Sequence, residues 1–398
     1  MPLSGLLVGL AFGFLLQRGQ FCFVCGFREL FQKRDPRFML ALLLAVAIQS
    51  VGFFGLQAAG LIRLPTEQMP ILATVLGGLL FGMGIILARC CGSGSWFRSG
   101  EGAAGSLLVL LVFAITLAAC QAGPLKNLLQ PLLQRTSSLG LIHETLGISP
   151  WWCVAALVVM CAGLLWRARR QATSSPSATG DAAEAVEAAE TGRYPLGIAA
   201  LIGLLGVLAW WLSWQSGRNY GYGVAVPTAN VLQYLVTGQS RYLNWGSLFV
   251  LGILPGAFFS AWLRGQFRWR VPPVEQVPQR ILGGVLMGVG ATLAGGCTIT
   301  NTLVATAYFS WQGWLATLMI LLGGVVTVWL VGIKVYSIAR HIPYRDVVSQ
   351  PLFFIGLTVA IFGLLFFLAG FLGELIARSA PDRNRYNVAE KCGFEGAD

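Results

Sequence analysis

Residues 77–98 read GGLLFGMGIILARCCGSGSWFR. A glycine-studded apolar run ends at two adjacent cysteines and continues into Gly-Ser-Gly. A second copy stands at residues 283–300, GGVLMGVGATLAGGCTIT. Gly77, Gly78, Gly82, Gly84, Ala88 and Cys91 align without a gap with Gly283, Gly284, Gly288, Gly290, Ala294 and Cys297, each pair 206 residues apart. Glycines and a thiol that stay in phase over that interval mark an internal duplication. Each copy carries one thiol at the end of a short helix.

The rest of the chain sets this duplication in a bilayer. Of 398 residues, 56% are hydrophobic and only 11% are charged, with a mean hydropathy of +0.71. Soluble domains carry about a quarter charged residues. The formal net charge is +11, but Lys and Arg concentrate in a few loops, as cytoplasmic membrane loops do. That distribution argues against a nucleic-acid partner and for the lipid bilayer. The 9 cysteines lie mostly inside or at the ends of apolar segments, so they do not form a disulfide framework. MPLSGLLVGLAFGFLLQRG has no basic region before its apolar run, which predicts a retained helix and not a cleaved signal.

A spanning helix needs about 20 apolar residues. Candidate segments are 3–17, 38–62, 71–89, 104–122, 151–167, 195–215, 246–263, 281–296, 311–333 and 351–377. The expected fold is an all-α polytopic membrane protein. It has about nine or ten transmembrane helices plus short half-helices, in two pseudo-symmetric, inverted repeats. Short glycine-interrupted segments at matching positions of two halves point to broken helices at a substrate site. The organisation reads as a first half over 1–166, a flexible cytoplasmic linker over 167–194, a second half over 195–345, and an extra apolar helix with a polar tail over 346–398. The linker composition, Ser, Ala and Glu, buries no core. Basic residues place the loops after Arg18 and around Arg264–Arg280 inside, and segments 122–150 and 216–245 outside. Residues 351–377 upset the pass count, because a full span there puts the basic tail outside. VPTANVLQYLV is expected as a short helix dipping into the outer face.

Three cysteines stand out. Cys22, Cys91 and Cys297 each follow an apolar, glycine-containing segment. A helix that ends inside a membrane exposes backbone polar groups, tolerated only around a cavity. The starts of following half-helices, near Ser93–Trp96 and Thr298–Asn301, offer N–H donors to an anion. The competing reading is that these are packing cysteines, small hydrophobes like Cys120, Cys153 and Cys161. Cys25 and Cys90 neighbour the key positions and are candidates to line the same cavity, as are Arg98, Asn230 and Asn301. Arg98 and Glu101 are a candidate surface pair. Asn230 and Asn301 equally suit helix–helix hydrogen bonds. No metal or cofactor site is expected, since His143 and His341 fall in loops.

Four motifs in order, QRGQFCFVCGFRELF (17–31), GGLLFGMGIILARCCGSGSWFRSGEG (77–102), VPTANVLQYLVTG (226–238) and GGVLMGVGATLAGGCTITNTL (283–303) followed by WQGW (311–314), resemble the YeeE/YedE family. The resemblance covers about residues 1–340. It implies an inner-membrane transporter that takes up thiosulfate for cysteine synthesis, and not an enzyme. It implies nine spanning helices plus half-helices in two pseudo-symmetric halves. It puts the family's three functional cysteines on Cys22, Cys91 and Cys297. It also implies a soluble sulfur-carrier partner of the TusA/YeeD type at the cytoplasmic face. One departure is Arg89-Cys90-Cys91 where the family has Gly-Gly-Cys. The mechanism that follows is a path lined by neutral thiols, which donate weak S–H hydrogen bonds to a soft anion, with burial favouring the neutral thiol. Rival readings are uptake of another sulfur or selenium species by the same fold, and a membrane thiol enzyme working at Cys22 and Cys25.

Overall fold

A computed structural model describes residues 3–33, 36–66, 68–174 and 196–339. The first half holds helices α1 (Leu3–Arg18), α2 (Phe23–Lys33), α3 (Arg37–Ala58), α4 (Ile71–Ala88), α5 (Gly92–Gly100) and α6 (Ala104–Gln121). Short helices α7 (Lys126–Leu133) and α8 (Ile142–Thr145) lead to α9 (Pro150–Ser174). The second half follows as α10 (Leu196–Gln215), α11 (Ala225–Thr237), α12 (Trp245–Leu263), α13 (Val277–Leu293), a π-helix (Ile299–Ala305) and α14 (Trp311–Ala339). Residues through Gly332 form one compact unit, and Ile333–Asp398 form a second, of which the described part is the end of α14. The expected linker begins later than its composition suggested, because α9 continues to Ser174. The rest of the linker, the helix expected at 351–377 and the tail with Cys392 lie outside the described residues.

The chain is a multi-pass membrane protein. Among the described residues eight helices are long and apolar enough to cross a membrane. α13, with 17 residues, is one more long apolar helix just short of that length. Outward faces are apolar: Leu107, Leu111 and Ile115 recur every four residues along α6 and are exposed. A stripe of that kind suits lipid, while the same helix turns Val109, Phe113 and Leu117 into the core.

The duplicated stretches pack against each other in opposite directions. A Cβ at Gly77 would fall on the backbone nitrogen of Ala294, and one at Gly283 on the backbone nitrogen of Ala88. Likewise a Cβ at Gly84 would lie 2.8 Å from the Met287 nitrogen, and one at Gly290 would lie 2.5 Å from the Phe81 nitrogen. Every contact recurs with the two copies exchanged, which is the signature of an antiparallel pair related by a pseudo-two-fold axis. The glycines between these face outward from the seam. Gly78 and Gly82 receive α14 at Met319 and Ile320, and Gly284 and Gly288 receive α6 at Val112 and Thr116. In lipid, close packing of small residues replaces the hydrophobic effect as the force between helices. α1 and α12 use the same device: Gly5, Gly9 and Gly13 meet the backbone at Trp245, Phe249 and Ile253 in parallel order.

Loops gather at two ends. At one, Arg268 donates its backbone N–H to Glu101 O at 3.3 Å, Arg270 donates to Gly102 O at 2.9 Å, and Ala104 donates to Arg270 O at 3.0 Å. At the other, Met69 donates to Leu139 O at 3.2 Å and Ile142 donates to Phe309 O at 2.8 Å.

Candidate functional site

Both seam helices end at a residue with positive φ, just before the marked thiols. α4 ends on Arg89, which adopts a left-handed conformation with φ 59°. The matching residue of the second copy is Gly295, with φ +72°. A non-glycine residue in this region costs about 1–3 kcal/mol, so the first copy carries strain where the second carries none. The freed carbonyls find side chains. Arg98 Nη1 donates to Arg89 O at 3.2 Å, and Cys90 Sγ lies 3.6 Å from Ala88 O. In the second copy Asn301 Nδ2 donates to Ala294 O at 3.2 Å and Gly296 O at 2.9 Å. Gln312 Nε2 adds a bond to Ala294 O at 3.1 Å.

The three marked thiols share one position in local structure. Cys22, Cys91 and Cys297 are all buried, and each stands just before a short helix. Cys91 is the N-cap of α5: its Sγ accepts from Gly94 N at 3.3 Å and sits 3.4 Å from Ser93 Oγ. Cys22 precedes α2 and accepts from Gly26 N at its carbonyl, at 2.9 Å. Cys297 precedes the π-helix, accepts from Asn301 N at its carbonyl at 2.9 Å, and has Sγ 3.7 Å from Thr300 Oγ1. A π-turn is rare and concentrates at functional positions.

Contacts tie these positions together. A Cβ at Gly92, next to Cys91, would lie 3.3 Å from Cys297 Cβ. Arg98 Nη2 donates to Cys22 Sγ at 3.4 Å and to Cys25 Sγ at 3.1 Å. The Thr298 hydroxyl, beside Cys297, is buried and lies within reach of the Cys91 thiol.

Sequence reasoning placed Arg98 here but gave it the wrong partner. It turns to the thiols, while Glu101 accepts from Gln20 Nε2 at 2.9 Å and faces Arg270 at 4.0 Å. Asn301 is spent on capping the broken helix. Asn230 is half-buried on α11, and among the described residues no hydrogen bond joins it to the thiols. α11 is nevertheless tied to the site, because Trp96 Nε1 donates to Thr228 Oγ1 at 2.9 Å.

One residue was missed. Arg218 packs against the Tyr220 and Trp245 rings at 5.8 Å each and donates to Gly221 O at 2.9 Å. A Cβ at Gly223 would sit 3.1 Å from Thr300 Oγ1 and 3.9 Å from Arg218 Nη2. Arg218 and the Cys297–Thr300 pair therefore close on one glycine. Burial pushes the Arg218 guanidinium down to about 10, which leaves it cationic at neutral pH. Burial, with Tyr308 nearby, holds the Tyr220 phenol well above its ordinary value and so neutral. The only sequence signal was a lone Arg in an aromatic, glycine-rich loop.

The arrangement suits a small, soft anion: sulfur and hydroxyl groups at the break, one guanidinium on either side, and backbone N–H groups at helix starts. A family model described as sulphur transport matches residues 18–326. The chain belongs to the sulphur transport family. Within this family, a relative from Escherichia coli (strain K12) named thiosulfate transporter TsuA is 41% identical over 345 residues, covering 85% of this chain and 97% of the relative. A TsuA from Spirochaeta thermophila is 30% identical over 82% of this chain and 98% of its own length. A probable transporter YedE from Salmonella typhimurium is 35% identical, but over 97 residues, 24% of each chain. The sulphur transport family model spans all three thiols and both broken helices.

Proposed function

We propose that this protein takes up thiosulfate across the bacterial inner membrane, through a path lined by the neutral thiols of Cys22, Cys91 and Cys297, and so supplies sulfur for cysteine synthesis. The observation that carries this reading is the meeting of the two broken helices, which brings Gly92, beside Cys91, against Cys297. Two halves, 1–166 and 195–345, each supply one break. Arg218 receives the dianion at the outer face. Cys297 and Cys91 hold its terminal sulfur in turn, and Thr298 accompanies it. Cys22 and Cys25, braced by Arg98, deliver it inward, with Cys90 filling the wall behind. Several weak sites in series let an ion leave as readily as it enters. A soluble carrier of the TusA/YeeD type receives it at the cytoplasmic face. Near full-length similarity to two proteins named for thiosulfate favours thiosulfate as the substrate.

The test is labelled-thiosulfate uptake by cells whose only thiosulfate route is this chain. Expected is uptake that depends on the chain and that sulfite and selenite inhibit only in large excess. Uptake no greater than in cells without the chain, or inhibition by selenite at concentrations below those of thiosulfate, contradicts the reading.

A further inference from the structure

A cavity of about 620 Å³ opens at the end of the molecule where the 101–104 and 264–276 segments meet. Four arginines line it, Arg98, Arg268, Arg270 and Arg280, together with one carboxylate, Glu101. The main chain of two of these residues is tied to the 101–104 segment. The Arg268 and Arg270 N–H groups bond to Glu101 O and Gly102 O, and Ala104 N bonds back to Arg270 O. The Nε of Arg280 is buried with no hydrogen-bond partner. Glu101, buried and 4.0 Å from Arg270, is one carboxylate against the four arginines of this lining. The cavity adjoins the thiol cluster, since Arg98 lines it and also bonds the sulfurs of Cys22 and Cys25.

We propose that this cavity is a second anion site, an inner vestibule that takes a divalent sulfur oxyanion by its oxygen atoms. The inference rests on the transport reading and deepens it. Thiosulfate has two chemically unlike ends. The terminal sulfur suits thiols, and the three oxygens suit planar guanidinium groups, which bind oxyanions in two-pronged fashion. Arg98 stands where one end is exchanged for the other. Glu101 is the resident anion, displaced from Arg270 when the vestibule fills. Recognition by oxygen predicts that sulfate, which lacks a soft sulfur, occupies the vestibule too. A phospholipid phosphate shares this chemistry, and the experiment separates the two.

The full chain carrying Gln276→Cys, at the vestibule wall, is reconstituted in neutral-lipid vesicles and in inside-out membrane vesicles. Modification by an impermeant maleimide is followed at that peptide by mass spectrometry. Thiosulfate and sulfate are each expected to slow it roughly fivefold relative to chloride at equal ionic strength. Arg268→Ala with Arg270→Ala is expected to abolish the protection, and Glu101→Gln to lower the half-protecting concentration. Labelling unchanged by either anion overturns the vestibule, as does protection that appears only with phosphatidylglycerol and is not deepened by thiosulfate. Uptake by the chain without the substitution is measured in parallel. No uptake with protection retained counts against the transport reading alone, and uptake without protection counts against the vestibule alone.

Discussion

Cys91→Ser is expected to cut the initial rate of thiosulfate uptake by about tenfold or more, equivalent to about 1.4 kcal/mol, without reducing the amount of folded protein. Both halves of that expectation come from the same geometry. Cys91 is the N-cap of α5, and its Sγ accepts from Gly94 N. Serine is a preferred N-cap whose oxygen accepts the same kind of bond, so the helix start survives. The site itself loses a large, polarisable sulfur and gains a smaller, harder hydroxyl. That hydroxyl sits farther from the Cys297 wall and forms stronger bonds to Ser93, 3.4 Å away from the present sulfur. A group that grips its neighbour holds a passing sulfur atom poorly. Uptake per folded molecule, with membrane protein quantified, checks the outcome.

Gly283→Val is expected to prevent the protein from being recovered in a folded, monodisperse state. A Cβ there would fall on the backbone of Ala88, and its partner contact at Gly77 already brings α4 onto Ala294. Overpacking a well-fitted interior costs typically about 1–3 kcal/mol and occasionally more. The upper end applies here because backbone has no rotamer into which to retreat, and the pseudo-two-fold seam forces both ends of the helix pair apart. Gly163→Val is the control, since nothing lies within 4 Å of a Cβ at Gly163, and its thermal midpoint is expected to stay near that of the unmutated chain. Size-exclusion profile and thermal midpoint in detergent measure both.

Much of this was legible from residues alone, and the reason is periodicity. Gly77, Gly84, Gly283 and Gly290 had to be glycine because helix backbones touch there, so the seam wrote itself into sequence as a phase-locked repeat. The thiols were legible because Cys91 and Cys297 end those repeats. α11 was legible from VPTANVLQYLV, too short and too polar to span. Less legible was anything decided by side-chain direction at a chain break. Arg98 and Glu101 read as a surface pair, yet Arg98 turns to the Cys22 and Cys25 sulfurs and Glu101 to Gln20 and Arg270. Asn301 read equally as a lining residue or as a hydrogen-bonding residue between helices, and its amide goes to the Ala294 and Gly296 carbonyls at the break. Arg268 and Arg270 read as loop charges marking the inner face. Only the backbone bonds to Glu101 and Gly102 gather them around a cavity.

The most direct test of the central claim, that the thiols at the break line the substrate path, is substrate protection. A small permeant thiol reagent is applied to the transporting protein with and without saturating thiosulfate, and alkylation is followed at each cysteine by mass spectrometry. Cys91 and Cys297 are expected to react markedly more slowly with thiosulfate present. Cys120, buried in a separate apolar cluster with Ala73, Leu129 and Leu293, is expected to react at an unchanged rate. Equal alkylation of Cys91 and Cys297 with and without thiosulfate, in protein that is taking it up, would contradict the account.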